Sequence, residues 1–264
     1  MRPKVVATDL DGTVVRSDGT ISPRTRDALL AARDAGALIV VATGRPPRWL
    51  TGIAEATGHD GIAVCANGAL VYDLSAEQVI DSRPLDLDVV RLLIEGLRAS
   101  VPGVAFAIER VDGQFAHEPD YHPRWEPEEQ TFVGELEHVF DVPVVKLLGR
   151  VEGAGSDDLL AMARAAIGEE LATLTHSSID GLLEVNAYGV TKASTLDAWL
   201  ADRGLSAADV IAFGDMPNDI EMIAWAGHGV AVANAHPEVL AVADEVTGTN
   251  DADGVAEVLE RLFG

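Results

Sequence analysis

Two carboxylates one residue apart stand near the start of this chain, in Asp9-Leu10-Asp11-Gly12-Thr13, directly after the apolar run Val5-Val6-Ala7 and Thr8. In an extended chain residues i and i+2 point to one side, so Asp9 and Asp11 leave a strand together. Gly12 permits a sharp turn and lets backbone N–H groups approach an anion. A carboxylate held by a metal can attack phosphorus while its neighbour gives a proton to the leaving oxygen and later takes one from water. That division of labour suits phosphate ester hydrolysis. The plainer alternative is an acidic turn. Calcium chelation is excluded by spacing, because an EF-hand loop has its glycine sixth and a glutamate twelfth, and here the glycine is fourth and no glutamate follows.

Three further clusters carry oxygen or charge. Thr43-Gly44-Arg45 offers a hydroxyl and backbone N–H groups suited to phosphate oxygens, and Arg45 would either neutralise the ligand or pair with one of the many acids. Asp215-Met216-Pro217-Asn218-Asp219 places two carboxylates and an amide within one short turn. A hard divalent ion such as Mg²⁺ takes oxygen ligands and keeps waters, so Asp9, Asp215 and the backbone carbonyl of Asp11 would suffice, with Asp219 binding directly or through water. Acids suited to a helix N-terminus are the alternative there. Lys192 would offset the repulsion among these acids and bind a transferred phosphoryl group, or would be an ordinary solvated lysine. No P-loop, complete dinucleotide fingerprint or H-E-x-x-H pair is present, and Cys65 stands alone in an apolar run, which reads as a buried structural thiol in a reducing compartment.

These clusters need elements to hold them. Val5 to Thr8 reads as a first strand, Ser22-Pro23 as the capped start of a helix that Gly36 stops, and Ala37 to Ala42 as a buried second strand. A helix is expected over Pro47 to Thr57, with Leu50, Ile53 and Ala54 on one face and Gly58 at its end. Asn67-Gly68 between two apolar runs predicts a type I′ hairpin. From about Arg83 the pattern becomes mostly antiparallel α+β: a helix over Asp86 to Leu97, hairpin turns at Asp112-Gly113 and Asp180-Gly181, a strand over Val144 to Leu148, and a helix capped by Ser156 and running towards Leu171. The stretch Glu118 to Glu137 fits neither period and reads as loop with some helix. After Gly189 the parallel rhythm returns, with a helix from Lys192, strands over Val210 to Phe213 and Val230 to Val232, and a last helix carrying Val255, Val258, Leu259 and Leu262. The expected architecture is α/β, a doubly wound, mostly parallel, Rossmann-like sheet core (residues 1–82 and 189–264) with an inserted α+β cap domain (residues 83–188). Strand ends of such a sheet are where ligands bind, so the clusters converge on one crevice.

The composition restricts partners. The 264 residues carry 43 acidic and 19 basic side chains, a formal charge of −24, which repels nucleic acid and anionic membranes and reads as a solubilising surface. The N-terminal apolar stretch is too short for a signal peptide and no run reaches the ~20 residues that span a bilayer, so a cytoplasmic protein is expected.

In order and content the four clusters resemble the haloacid dehalogenase superfamily of aspartate-nucleophile phosphatases, in its Cof-like branch with a large cap inserted between the second and third motifs. The resemblance extends to Asn67-Gly68-Ala69, to Gly214-Asp215-Met216-Pro217-Asn218-Asp219, to the stretch from Gly229 to Ala235 and to the turn from Asn250 to Gly254. It implies that Asp9 is the nucleophile and a Mg²⁺ ligand, that Asp11 is general acid and base, and that Thr13 orients it. Thr43 and Gly44 would hold phosphate, Lys192 would stabilise the phosphoaspartyl state, Asp215 would bind Mg²⁺, and Asn218 and Asp219 would complete the phosphate and metal shells. Gly12, Thr13, Arg45 and Asn67 join the phosphate-binding candidates, Asn67 with a turn as the equal alternative. Ala193 departs from the branch, which usually has glycine there; alanine favours a helix start and removes no reactive group. In the cap, Arg110, Lys146, Glu184 and Asn186 are candidates for choosing the substrate.

The expected partner is a small phosphorylated metabolite, a sugar phosphate or phosphorylated cofactor, acted on by a monomer or small homo-oligomer. A sugar phosphomutase of the same superfamily is the alternative reaction. A receiver-like phosphate-binding module is the alternative class, and the inserted cap argues against it.

Overall fold

The computed structural model describes residues 2–53, 57, 61–125, 131–168 and 170–264. It divides into two compact units, one formed by Met1–Asp81 and Thr191–Gly264, the other by Ser82–Val190. In chain order the elements are β1 (Val5–Thr8), α1 (Pro23–Asp34), β2 (Leu38–Ala42), β3 (Ile62–Cys65), β4 (Leu70–Asp73) and β5 (Gln78–Ser82). There follow α2 (Leu87–Ser100), β6 (Ala105–Arg110), β7 (Phe115–His117), β8 (Phe132–Val133), β9 (Val144–Arg150), α3 (Ser156–Ala166), β10 (Ala172–Thr175) and β11 (Leu182–Ala187). The chain ends with α4 (Lys192–Ala201), β12 (Val210–Gly214), α5 (Ile220–Trp225), β13 (His228–Val232), α6 (Pro237–Val242), β14 (Glu245–Thr247) and α7 (Gly254–Phe263).

The first unit is built on an eight-stranded sheet in the order β14-β13-β12-β1-β2-β3-β4-β5. Pairing is parallel from β14 to β3, with Val5 opposite both Val210 and Leu38, and β3 pairs antiparallel with β4. Strands β1 and β12 are buried along their whole length, which their unbroken apolar character requires when helices cover both faces. The helices pack in two groups, α1 with α7, and α5 with both α4 and α6, as the two layers of a doubly wound sheet. Local chemistry starts two of them. Ser22 Oγ accepts the Thr25 N–H at 3.0 Å ahead of Pro23, and Thr191 exchanges hydrogen bonds with Ser194 at 3.0 Å in both directions, which fixes Lys192 as the first residue of α4.

The second unit carries a six-stranded sheet, β10-β11-β9-β6-β7-β8, antiparallel except for the parallel pair β7 and β8. Helices α2 and α3 pack together over one face, burying Val90, Leu93, Leu97, Phe106, Ile108, Leu147, Leu160 and Leu183. Alternation along β6 and β9 sends Ala105, Ala107, Glu109, Lys146, Leu148 and Arg150 to the other face, where Phe115 and Tyr121 join them. The buried ion pair between Lys146 Nζ and Glu184 Oε1, at 2.6 Å, lies on this face.

Several expectations are corrected. The helix expected over Pro47 to Thr57 begins instead as a 3₁₀ turn, Pro47–Trp49, followed by a turn; Ile53 and Thr57 are helical, and residues 54–56, with Ala54, and Gly58 lie outside the described residues. The Asn67-Gly68 hairpin is real, but its connection is four residues, Ala66 to Ala69, between the paired Cys65 and Leu70. Ser156 is the first residue of α3 and not its cap: Gly155 holds the cap position, while Ser156 Oγ accepts the Leu182 N–H at 3.0 Å, and α3 stops at Ala166. Strands β5, β8 and β14 and helix α6 are not expected from the sequence; β8 and β14 are two and three residues long, too short to show a period, and β5 is an edge strand exposed along its whole length, so burial imposes no alternation on it.

Candidate active site

Because β1, β2, β3, β12 and β13 run parallel, their carboxyl ends lie along one edge of the sheet. Asp9 follows β1, Thr43 follows β2, Asn67 lies in the turn after β3, and Asp215 follows β12. Lys192, the first residue of α4, has no exposed surface. Its ammonium donates to Asp9 Oδ1 at 2.6 Å and to Asp219 Oδ1 at 2.7 Å. Asp219 Oδ2 accepts the backbone N–H groups of Asp215 at 3.0 Å and Met216 at 3.2 Å. Asp215 Oδ1 accepts the Thr13 hydroxyl at 2.9 Å. Carboxylate oxygens of Asp9, Asp215 and Asp219 all lie within 4.8 Å of one another, and all three residues are buried.

One ammonium among three buried carboxylates leaves an excess of negative charge, and the carboxyl groups respond. Burial raises Asp9 well above the ordinary carboxylate range against the pull of Lys192, with Asp219, Asp215 and Asp11 adding to the rise. Burial, then Asp219, pushes Asp215 up to about 7. For Lys192, burial alone would lower the ammonium, but Asp219 and Asp9 outweigh it and hold the group above its usual value.

Gly12 closes one wall. Its φ is +77°, and an added Cβ would stand 2.3 Å from Asp215 Oδ2, so only glycine lets the loop lie against that carboxylate. Asp11 is half-exposed and turned to Arg45, whose Nε and Nη2 reach its two oxygens at 2.7 and 2.5 Å. That bidentate bond holds Arg45 above the usual guanidinium value. Of the two roles open to Arg45 in the sequence, pairing with an acid is therefore the one present here. Thr43 is buried, and its Oγ1 accepts the Arg45 N–H at 3.1 Å; Gly44 lies between them. The turn after β3 is tied to the same loop, because Ala66 N–H donates to Arg45 O at 3.0 Å and Asn67 N–H to Thr43 O at 3.1 Å. Asn67, buried with φ +58°, accepts the Asn218 amide at 3.0 Å, so Asn67 is both a turn residue and part of this edge. Every candidate residue of the first unit therefore lies in one connected set.

The sequence profile of the haloacid dehalogenase-like hydrolases matches residues 6–259. The chain belongs to this family. A pyridoxal phosphate phosphatase of Escherichia coli is 30% identical to this hydrolase over 98% of each chain. A 5-amino-6-(5-phospho-D-ribitylamino)uracil phosphatase of Bacillus subtilis is 30% identical over 98% of this chain and 95% of its own. A solved haloacid dehalogenase-like hydrolase from Bacteroides thetaiotaomicron is similar with a TM-score of 0.77 at 28% identity, over 99% of this chain and 100% of that one. These likenesses place the enzyme among the Cof-like phosphatases of the haloacid dehalogenase superfamily. No described helix is long and apolar enough to cross a membrane.

The haloacid dehalogenase-like site includes two residues whose role was not legible in the sequence. Asn234, after β13, donates from Nδ2 to the Gly12 carbonyl at 2.8 Å, and its Oδ1 accepts the Asn250 N–H at 2.9 Å. Their signal was an asparagine at the end of a parallel strand, on the ligand-bearing edge. In the second unit, Lys146, Glu184 and Asn186 are buried side chains of neighbouring strands, and Asn186 Nδ2 donates to Val145 O at 3.1 Å. Arg110 is set apart from them by a register shift after Glu109 and pairs with Asp112 at 2.9 Å and Asp141 at 3.4 Å.

Proposed function

We propose that this phosphatase hydrolyses small phosphate monoesters with Mg²⁺, through a phosphoaspartyl intermediate on Asp9. The observation that carries the reading is the buried cluster itself: three carboxylates lie together around one ammonium that pairs with two of them, so their ionised forms carry two negative charges in excess, the charge of one divalent cation. An all-oxygen donor set fits Mg²⁺. Asp9, Asp215 and the Asp11 carbonyl would hold it. Asp219, with Oδ1 on Lys192 and Oδ2 on two backbone N–H groups, suits an indirect role through water. When bound, the ion would offset the carboxylate charge and stabilise negative charge on the transferring phosphoryl group.

The remaining steps belong to the side chains. Asp9 Oδ2 is the oxygen that Lys192 does not hold, and it attacks phosphorus; the P–O bond to the leaving group breaks as the new P–O bond to Asp9 forms. Asp11 gives its proton to the leaving oxygen and then takes one from the water that attacks the phosphoaspartate, releasing phosphate and restoring Asp9. For this Arg45 must exchange Asp11 for the incoming phosphate, a partner of higher charge and matching fork geometry. Thr43 accepts the Arg45 N–H and so keeps its own hydroxyl proton for a phosphate oxygen. Lys192 holds Asp9 and Asp219 in place throughout.

The relatives named for pyridoxal phosphate and for a phosphoribitylamino uracil support phosphorylated cofactors and their precursors as substrates, beside sugar phosphates. The test is phosphate release from an aryl phosphate with and without Mg²⁺, by the wild type and by Asp9→Asn. Release by the wild type only with Mg²⁺, and essentially none by Asp9→Asn, is expected; retained turnover in the variant overturns the assignment of the nucleophile.

A further inference from the structure

The segment that follows Asp9 is not part of the sheet and is held from outside by residues more than two hundred positions later. Asp11 and Val15 form one isolated bridge, and the N–H groups of Thr13, Val14 and Val15 all turn back to the Leu10 carbonyl at 3.2, 3.1 and 2.8 Å. Beyond that the contacts come from the C-terminal part of the first unit. Asn234 Nδ2 donates to Gly12 O, Asn250 Nδ2 donates to Val15 O at 3.0 Å, Asp251 Oδ1 accepts the Ser17 N–H at 2.9 Å, and Asp253 pairs with Arg16 at 2.7 Å. On the opposite side the loop rests on Asp215, through the Thr13 hydroxyl and the close approach of Gly12.

Gly12 has no side chain to restrict its backbone rotation, so its conformation in this loop is set by its contacts. A peptide group is planar, so fixing the Gly12 carbonyl fixes the Gly12–Thr13 plane. With Asp215 limiting the other side of Gly12, the orientation of the preceding Asp11–Gly12 peptide, which carries the Asp11 carbonyl, is set too. Asn234 uses both ends of its amide for this, one as donor to Gly12 and one as acceptor from Asn250. An aspartate of the same shape would keep the contact with Asn250 but set a carboxylate oxygen against the Gly12 carbonyl.

We propose that Asn234 and Asn250 form a two-amide clamp that positions the nucleophile loop, holding the Asp11 carbonyl and the Asp9 carboxylate in the arrangement that binds the divalent cation. Both are positioning residues: neither touches substrate, and each acts through the loop backbone. The clamp rests on the Mg²⁺-dependent reading above. Asn234 is exposed, so its hydrogen bonds add little to global stability, whereas a small displacement of a catalytic loop has a large effect on rate.

The experiment compares wild type, Asn234→Asp, Asn234→Ala and Asn250→Ala in Mg²⁺ binding to metal-free protein by calorimetry, in thermal unfolding, and in kcat and KM for an aryl phosphate. Partners that orient metal ligands are worth about 10- to 100-fold in metal affinity or activity. Asn234→Asp is expected to weaken Mg²⁺ binding and lower kcat by about that factor, with KM little changed and the unfolding temperature close to wild type; Asn234→Ala should fall between the two. Asn250→Ala keeps the backbone N–H that Asn234 accepts and loses only the bond to Val15, so its effect should be the smallest. Mg²⁺ affinity and kcat within about twofold of wild type in both Asn234 variants would overturn the clamp. A wild-type protein that shows no Mg²⁺-dependent phosphate release would instead overturn the proposed function.

Discussion

Lys192 donates to Asp9 Oδ1 at 2.6 Å across a sequence separation of 183. Both groups are buried, and the same ammonium holds Asp219, so the bond is the main compensation for a cluster that would otherwise repel itself. Replacing Lys192 by Met should leave three buried carboxylates without their cation. Removing one partner of a buried pair costs about 3–5 kcal/mol. Urea unfolding of the metal-free variant at pH 8 should show a loss of that order, and Mg²⁺ should restore part of it; an unchanged midpoint would mean that the cluster is not charged as described.

The direction of the carboxyl shifts gives a second expectation. Asp9 and Asp215 bind protons more tightly in the folded chain than in the unfolded one, Asp215 up to about 7 against an ordinary 3.8. A raised carboxyl contributes stability in full below the unfolded value and loses it as pH rises through the folded one. The Asp215 contribution to the metal-free protein should therefore decline between about pH 4 and 7, and that of Asp9 should change in the same direction. A divalent cation binds the ionised forms, so the rise in unfolding temperature on adding Mg²⁺ should be larger at pH 8 than at pH 5. Equal shifts at the two pH values would count against a metal held by these carboxylates.

Arg45 grips Asp11 with two parallel hydrogen bonds at a partly solvated site, the carboxylate half-exposed and the guanidinium less so. Exposed pairs of this kind are worth about 1 kcal/mol or less, so Arg45→Lys should unfold close to the wild type. The lysine keeps the charge but loses the fork that matches both carboxylate and phosphate. A drop of about tenfold in kcat/KM is expected, the value of one lost charge-assisted hydrogen bond; unaltered kinetics would show that Arg45 only pairs with Asp11.

Gly68 tests the packing of the turn after β3 against the start of α4. Its φ is +107°, and an added Cβ would lie 2.2 Å from the Thr191 carbonyl oxygen. Gly68→Ala should therefore combine backbone strain with a forced shift of the residue that caps α4, at a total of about 3 kcal/mol or more. Because Thr191 precedes Lys192, turnover should fall with stability. Wild-type denaturant resistance in this variant would show that the turn and the helix do not meet this closely.

Asp9, Thr43 and Asp215 could be placed from the sequence alone because each follows a short apolar run, and a run buried on both faces is a local pattern. The same patterns carried the parallel sheet and the α+β insertion, while the order and content of the four polar clusters carried the resemblance to the family. Three short strands escaped them. β5 and β14 lie at sheet edges, where Val79, Ile80 and Val246 are exposed and burial imposes no alternation, and β8 is two residues long.

The partner of each polar group was not a local matter. Sequence left Arg45 with two roles and Asn67 with two; the fold joined Arg45 to Asp11 and set Asn67 in a turn against Asn218. Asn234 became the support of Gly12 only because β13 lies beside β12 and β12 beside β1, an order that crossovers between distant parts of the chain create. Residue type and spacing thus determined which strand ends carry acids, amides and hydroxyls, since secondary structure follows interactions a few residues long. Which of those groups meet, at what distance and under how much burial, was decided by sheet order and helix packing, which no short window of sequence contains.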